Sequence, residues 1–200
     1  MRTNSRKQLI SLLLLFATPI FLAWFFIYNP EYLPTGRTNK GTLITPVVPI
    51  TDFEFRNFND DLKKSSEEYQ GFWTMILIAG EQCNEDCKKR IYDMRQVRTA
   101  LEKNYTKVKR LVIITSNQLD PELVKYLKHY PGTDILSQNK LLASKISNTL
   151  DFKGLGIVGN LYIMDPMHNV MMSYTSGQPA KDILSDMQRL LKINQWGAGH

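Results

Sequence analysis

Residues Leu9 to Tyr28 carry no charge over 20 positions, and this run limits what the chain can become more than any other segment. A helix rises 1.5 Å per residue, so a run of this length reaches about 30 Å, the thickness of a bilayer's hydrocarbon core. Ser11, Thr18 and Pro19 interrupt it only mildly, and a proline is tolerated in a membrane helix. Arg2, Arg6 and Lys7 precede it. The positive-inside bias then keeps the amino terminus in the cytoplasm and exports the rest of the chain. Trp24, Tyr28 and Tyr32 fall near the outer interface, where amphipathic rings are enriched. A cleaved signal peptide would show a shorter apolar core followed by small residues in an A-x-A-like pattern. Here the run ends in Trp24-Phe25-Phe26-Ile27-Tyr28 and then Asn29-Pro30-Glu31, so it reads as an uncleaved anchor. Three of the charges behind the formal net charge of +6 belong to the cytoplasmic stub. Nucleic-acid binding asks for a basic stripe with interleaved aromatics. The sequence has none, and no nucleic-acid partner is expected.

The remainder divides by composition. Residues 1–8 are the stub, 9–28 the anchor, 29–52 a linker, 53–194 one globular domain, and 195–200 a tail. The linker carries Pro30, Pro34, Pro46 and Pro49 with Gly36 and Gly41, which punctuate rather than build elements. Within the domain, Phe53 to Arg56 alternates like a short strand, and Trp73 to Ala79 is the near-continuous apolar type buried on both faces. Cys87, Ile91, Met94, Val97 and Leu101 recur at helical spacing. Arg110 to Thr115 reads as a second buried strand. Asp120 and Pro121 start a short helix as N-cap and first helical residue. Lys140 to Leu150 is a further amphipathic helix. Leu161 to Met164 and Val170 to Tyr174 form a hairpin across Asp165 to Asn169, and Pro179 opens a last helix. Strands alternating with helices, then a hairpin and helix, indicate an α/β sheet of mixed direction with a thioredoxin-like order.

The chain's only two cysteines, Cys83 and Cys87, lie between the first long strand and the helix after it. Four residues of helix place two Cα atoms about 6 Å apart, within reach of a disulfide. Three uses are open. In thiol–disulfide exchange, Cys83 at or just before the helix start would face free N–H groups and the positive end of the dipole, which favours a thiolate. Cys87, one turn in, would be the more buried resolving partner. In metal binding, two thiolates suit Cu(I), with a His or Met closing the site. In a structural role, an exported domain keeps a disulfide for stability. Glu85 and Asp86 oppose thiolate formation, although acids also prefer the first turn of any helix. Lys88, Lys89 and Arg90 read as a solvated face. Arg95 and Arg98 on the same helix are candidates to reach a substrate or partner.

Trp73-Thr74-Met75-Ile76-Leu77-Ile78-Ala79, Cys83-x-x-x-Cys87, Val112-Ile113-Ile114-Thr115-Ser116-Asn117-Gln118-Leu119-Asp120-Pro121-Glu122 and Leu161-Tyr162-Ile163-Met164-Asp165-Pro166 together resemble the Sco/SenC proteins. Those are membrane-anchored, thioredoxin-like assembly factors for the copper centres of cytochrome c oxidase. The similarity covers residues 53 to 192 and the single anchor. It implies a thioredoxin-like fold behind one transmembrane helix. It also implies a bacterial inner membrane with the domain in the periplasm, and oxidase subunits or assembly factors as partners. Copper-binding members add to the two cysteines a histidine shortly before the strand matching Leu161–Met164. Here that stretch is Gly154-Leu155-Gly156-Ile157-Val158-Gly159-Asn160. His168 lies beyond the strand, and His129 and His200 are unconvincing ligands. Gly159 stands where thioredoxins place a cis-proline, and Lys88 where many relatives have proline. The expectation is therefore oxidase biogenesis through thiol–disulfide exchange at Cys83 and Cys87. A copper(I) chaperone with an atypical third ligand is the alternative, with Met164, Met167, Met171 and Met172 as candidate thioethers, and a structural disulfide in a non-catalytic oxidase-associated subunit is the third reading.

Overall fold

The structure, a computed structural model, describes residues 4–29, 32, 38–50, 54–56, 63–80, 82–114, 120–136 and 158–197. It comprises two compact units, residues 1–38 and 39–200. In the first, α1 (Asn4–Tyr28) is one helix with Pro19 inside it. Its stretch Arg6–Tyr28 has a mean hydropathy of 2.4 and none of it is buried, as a membrane anchor requires. Asn29 closes the helix by donating to the Phe25 carbonyl.

The second unit is built on a six-stranded mixed sheet. Its strands are β1 (Thr42–Pro49), β4 (Trp73–Ala79), β5 (Val108–Ile114), β6 (Thr133–Leu136), β7 (Leu161–Met164) and β8 (Asn169–Tyr174), in the order β1-β8-β7-β4-β5-β6. Two short strands, β2 (Glu54–Arg56) and β3 (Lys63–Ser65), form a separate ribbon. β4, β5 and β6 run parallel, while β7, β8 and β1 continue the sheet antiparallel on the other side of β4. β4 and β5 are the centre, and all seven residues of β4 are buried. Alternate side chains therefore feed two cores. Met75, Leu77, Val112 and Ile163 pack with helices α2 (Glu85–Ala100), α3 (Pro121–Leu127) and α4 (Ala180–Gly197). Ile76, Ile78, Leu111, Tyr162 and Met164 line the other face. Each fully buried side chain of this kind contributes about 1.5–3 kcal/mol relative to exposure.

The expected linker 29–52 is shorter than its prolines suggested. Thr42–Pro49 is an edge strand on β8, with Thr42 opposite Ser173 and Pro49 opposite Asn169. An edge strand pairs on one side only, which is why it accommodates proline. The segment before it is held by Asp186 of α4, which is 2% exposed. Asp186 Oδ2 accepts from the Lys40 and Gly41 amides, both at 2.8 Å, and from the Tyr174 hydroxyl at 2.9 Å. A Cβ on Gly41 would lie 2.7 Å from Met172 Cγ and Tyr174 Cζ, so only glycine fits there. β6 was not foreseen. The hairpin and last helix are as expected, and the helix expected at Lys140–Leu150 lies outside the described residues.

Candidate functional site

The site sits where β4 gives way to α2. β4 is buried on both faces and ends at Ala79, and the chain turns over a few residues into a helix that starts at Glu85. Asn84 is the N-cap: its side chain accepts from the Cys87 amide at 3.0 Å, and its carbonyl from the Lys88 amide at 3.0 Å. Cys83 therefore lies one residue ahead of the cap, outside the helix. Its amide donates to Asp120 Oδ2 at 3.3 Å, while Asp120 Oδ1 caps α3 through Glu122 N at 2.9 Å. One carboxylate thus ties the cysteine loop to the next βα connection. The sequence marked Asp120 as a cap but gave no sign of this second bond, which spans 37 residues.

Cys83 and Cys87 form a disulfide with Cα atoms 5.2 Å apart. Cys87 was expected to be the more buried of the two. Instead each is 6% exposed, and both belong to the core beneath α2, with Ala79, Ile91 and Leu123. Leaving β4, the chain passes under Val158: its Cγ1 lies 3.2 Å from the position of a Cβ on Gly80. Val158 is nonetheless 58% exposed, an apolar group beside the cysteine loop that the sequence did not single out. Next to it Gly159, at φ +84°, donates to the Ile78 carbonyl at 2.8 Å, and Ile78 returns a bond to Asn160 at 3.2 Å. This ladder fixes Gly159 beside the carboxyl end of β4.

Around the pair, Glu85 and Asp86 are exposed and point a negative surface outward. Lys88 pairs with Glu85 at 3.0 Å, and this hydrogen bond, with the attraction behind it, holds the ammonium's pKa above the ordinary lysine value. Tyr126 of α3 donates to the Lys88 carbonyl at 3.1 Å and lies 2.9 Å from the Tyr130 hydroxyl. Burial, then that hydrogen bond, raises its phenol above the usual range. The solvated face expected at Lys88–Arg90 ends at Lys89. Arg90 is 2% exposed and donates through Nη2 to the Thr175 carbonyl, and burial lowers its pKa.

The histidines and methionines do not join the cysteines. β7 is antiparallel to β4 with Leu161 opposite Leu77, so the hairpin turn holding His168 and Met167 is at the far end of the sheet. His129 is exposed and its Nδ1 lies 3.3 Å from the Tyr126 carbonyl, and His200 is outside the described residues. The methionine cluster dissolves: Met164 and Met172 fill opposite cores, Met171 is packed at the margin, and Met167 is 75% exposed. Among the described residues no three of His, Cys, Asp and Glu converge on a metal-sized site. Residues 137–157 contain no His, Met or Cys. Among the described residues, no His or Met stands beside the two cysteines to complete a three-ligand copper(I) site.

A family model described as the transmembrane-like, thioredoxin-like, C-terminal domain matches residues 73–194. No curated protein matches the chain. Among solved structures, ScoI from Bradyrhizobium japonicum with copper bound is similar at 17% identity and a TM-score of 0.57, over 71% of this chain and 99% of that one. BsSco, described with a disulfide switch and as a member of the Sco family of cytochrome c oxidase assembly proteins, is 20% identical with a TM-score of 0.55, over 72% and 94%. A DsbF homologue from Corynebacterium diphtheriae is 15% identical with a TM-score of 0.55, over 79% and 96%. At such identities the likeness establishes a thioredoxin-like fold.

Proposed function

The chain belongs to the family of the transmembrane-like, thioredoxin-like C-terminal domain, and on that premise we propose that it is a membrane-anchored thiol–disulfide exchange protein serving cytochrome c oxidase biogenesis. One observation carries this reading: the Cys83–Cys87 disulfide stands at the junction of the central parallel strand and its helix, with Cys83 outside the N-cap. In the reduced pair, the Cys83 thiolate attacks a sulfur of a partner disulfide, forms a mixed disulfide and expels one partner thiolate. Cys87 then attacks Cys83 Sγ and expels the second. The partner gains two electrons and two protons, and the pair returns to the oxidised form seen here. A dithiol reductant must recharge it. Oxidase subunits or assembly factors with metal-site cysteines are the partners proposed, and the likeness to BsSco supports the choice. The positive-inside bias of Arg2, Arg6 and Lys7 supports an inner-membrane protein with its domain in the periplasm.

The test is a trap in membranes. Cys87→Ser should accumulate mixed disulfides on non-reducing gels, and Cys83→Ser should accumulate none. Equal behaviour of the two variants ends the assignment of roles. Anaerobic titration of the reduced full chain with Cu(I) separates the chaperone reading, because stoichiometric binding would show ligands that the described residues do not supply.

A second reading, a structural disulfide in a non-catalytic subunit, is favoured by the 6% exposure of both cysteines. Against it, a ring closed over four residues removes little chain entropy and stabilises by about 2 kcal/mol. A reduction potential below about −300 mV, with oxidase assembly intact in the double serine variant, would establish it.

A further inference from the structure

Away from the cysteines, three arginines meet at the amino end of the parallel strands. Arg110 of β5 is only 3% exposed, yet its guanidinium makes a single hydrogen bond, from Nη2 to the Pro131 carbonyl at 2.6 Å. Its Nε and Nη1 are buried with no hydrogen-bond partner among the described residues. The register sets Thr133 of β6 beside Arg110, and the Thr133 hydroxyl is likewise buried and unpartnered there. Arg98, in the last turn of α2, donates from Nε to the Val108 and Tyr105 carbonyls at 2.7 and 3.1 Å, which fixes its plane. Its Nη1 then lies 4.0 Å from the point a Cβ on Gly132 would occupy, and Arg110 Nη2 lies 3.6 Å from the same point. Arg95, one turn earlier, rests over the Tyr130 ring at 5.7 Å. Among the described residues no carboxylate pairs with any of the three. Asp134 is opposite Leu111, and its Oδ2 accepts from the Tyr69 hydroxyl. Burial first, then repulsion from Arg98 and Arg95, pushes the Arg110 guanidinium down to about 10.

Leaving a buried cation with unmade hydrogen bonds beside two like charges is costly. An oxyanion beside Gly132, where Arg98 Nη1 and Arg110 Nη2 converge, would offset that crowding of charge, because guanidinium donors match its geometry and charge. We propose that Arg95, Arg98 and Arg110, with the Thr133 hydroxyl, form a binding site for a phosphate group. The group is carried either by an anionic phospholipid or by a soluble phosphate. The site is independent of the thiol chemistry, and its failure would leave that chemistry untouched.

The test uses the full chain in an uncharged detergent, its melting temperature followed as inorganic phosphate is titrated against chloride at equal ionic strength. Phosphate should raise it saturably. Arg95→Ala/Arg98→Ala, on partly exposed positions that the core does not need, should weaken half-saturation about tenfold or more, and Arg110→Met should remove the response. A wild-type response no larger than chloride's, or an undiminished response in the double variant, overturns the site. Reconstitution into phosphatidylglycerol or phosphatidylcholine vesicles then identifies the source. Stabilisation by phosphatidylglycerol that the double variant lacks assigns the lipid headgroup. An equal phosphate response in both vesicles assigns a soluble phosphate. Either result supports the site, and wild type indistinguishable from the double variant in both vesicles defeats it.

Discussion

The cysteine loop and the Arg110–Thr133 pair, at opposite ends of β4 and β5, handle their buried polar groups in opposite ways. At the carboxyl end, the Cys83 and Cys87 amides are both taken, by Asp120 and Asn84, and the sulfurs bond each other. At the amino end, Arg110 Nε and Nη1 and the Thr133 hydroxyl lie inside with no partner among the described residues. A fold tolerates buried polarity when the partners come with it, and an unmet group costs about 1–3 kcal/mol or more if charged. The completed cysteine loop is therefore stable by itself, whereas the Arg110–Thr133 pair is stable only with something added.

The contrast can be broken first at the completed end, where the effect is all-or-none. Reaction at Cys83 requires that its sulfur become reachable, so partner trapping in Cys87→Ser and its absence in Cys83→Ser are the strongest outcomes expected. Next, in phosphate-free buffer, Arg110→Met should raise the free energy of unfolding by about 1–3 kcal/mol, measured by urea titration. A loss of stability instead would mean that the bond to Pro131 outweighs the unmet donors. Reduction of the disulfide should lower the same quantity by about 2 kcal/mol, because the ring is short. Asn84→Ala should cost about 1 kcal/mol through the lost cap, and it should make the Cys87 amide exchange hydrogen faster. The smallest effect is in alkali. Arg110 has a folded pKa of about 10, below its unfolded value, so its burial penalty is fully present below that pH and relieved above it. The advantage of Arg110→Met should hold constant up to pH 10 and narrow beyond it.

Much of the architecture was legible because its signals are periodic. β4 is a near-continuous apolar run, α2 repeats from Cys87 to Val97, and the hairpin is bracketed by Asp165 and Asn169, whose mutual bonds make the turn. Edge strands were less legible. β1 carries Pro46, Pro49 and exposed positions because it meets the sheet on one side, and β6 is four residues long. In the site, the sequence located the pair but neither its cap, Asn84, nor the burial of Cys83, which depends on α3 and on Val158 arriving from far along the chain. Arg110, read as the first residue of a buried strand, is indeed buried, while Lys109 before it stays half-buried; its missing partners were not legible.

β1 opens the domain and is completed only by β8 and α4, which end it. Asp186 must meet the Lys40 and Gly41 amides across 146 and 145 residues. A ribosome delivers the amino end first, so the earliest strand of this domain stays a bare edge for almost the whole of synthesis. Its prolines, awkward in a finished sheet, then serve as guards: they deny a stray strand the amides it would need to pair during the wait.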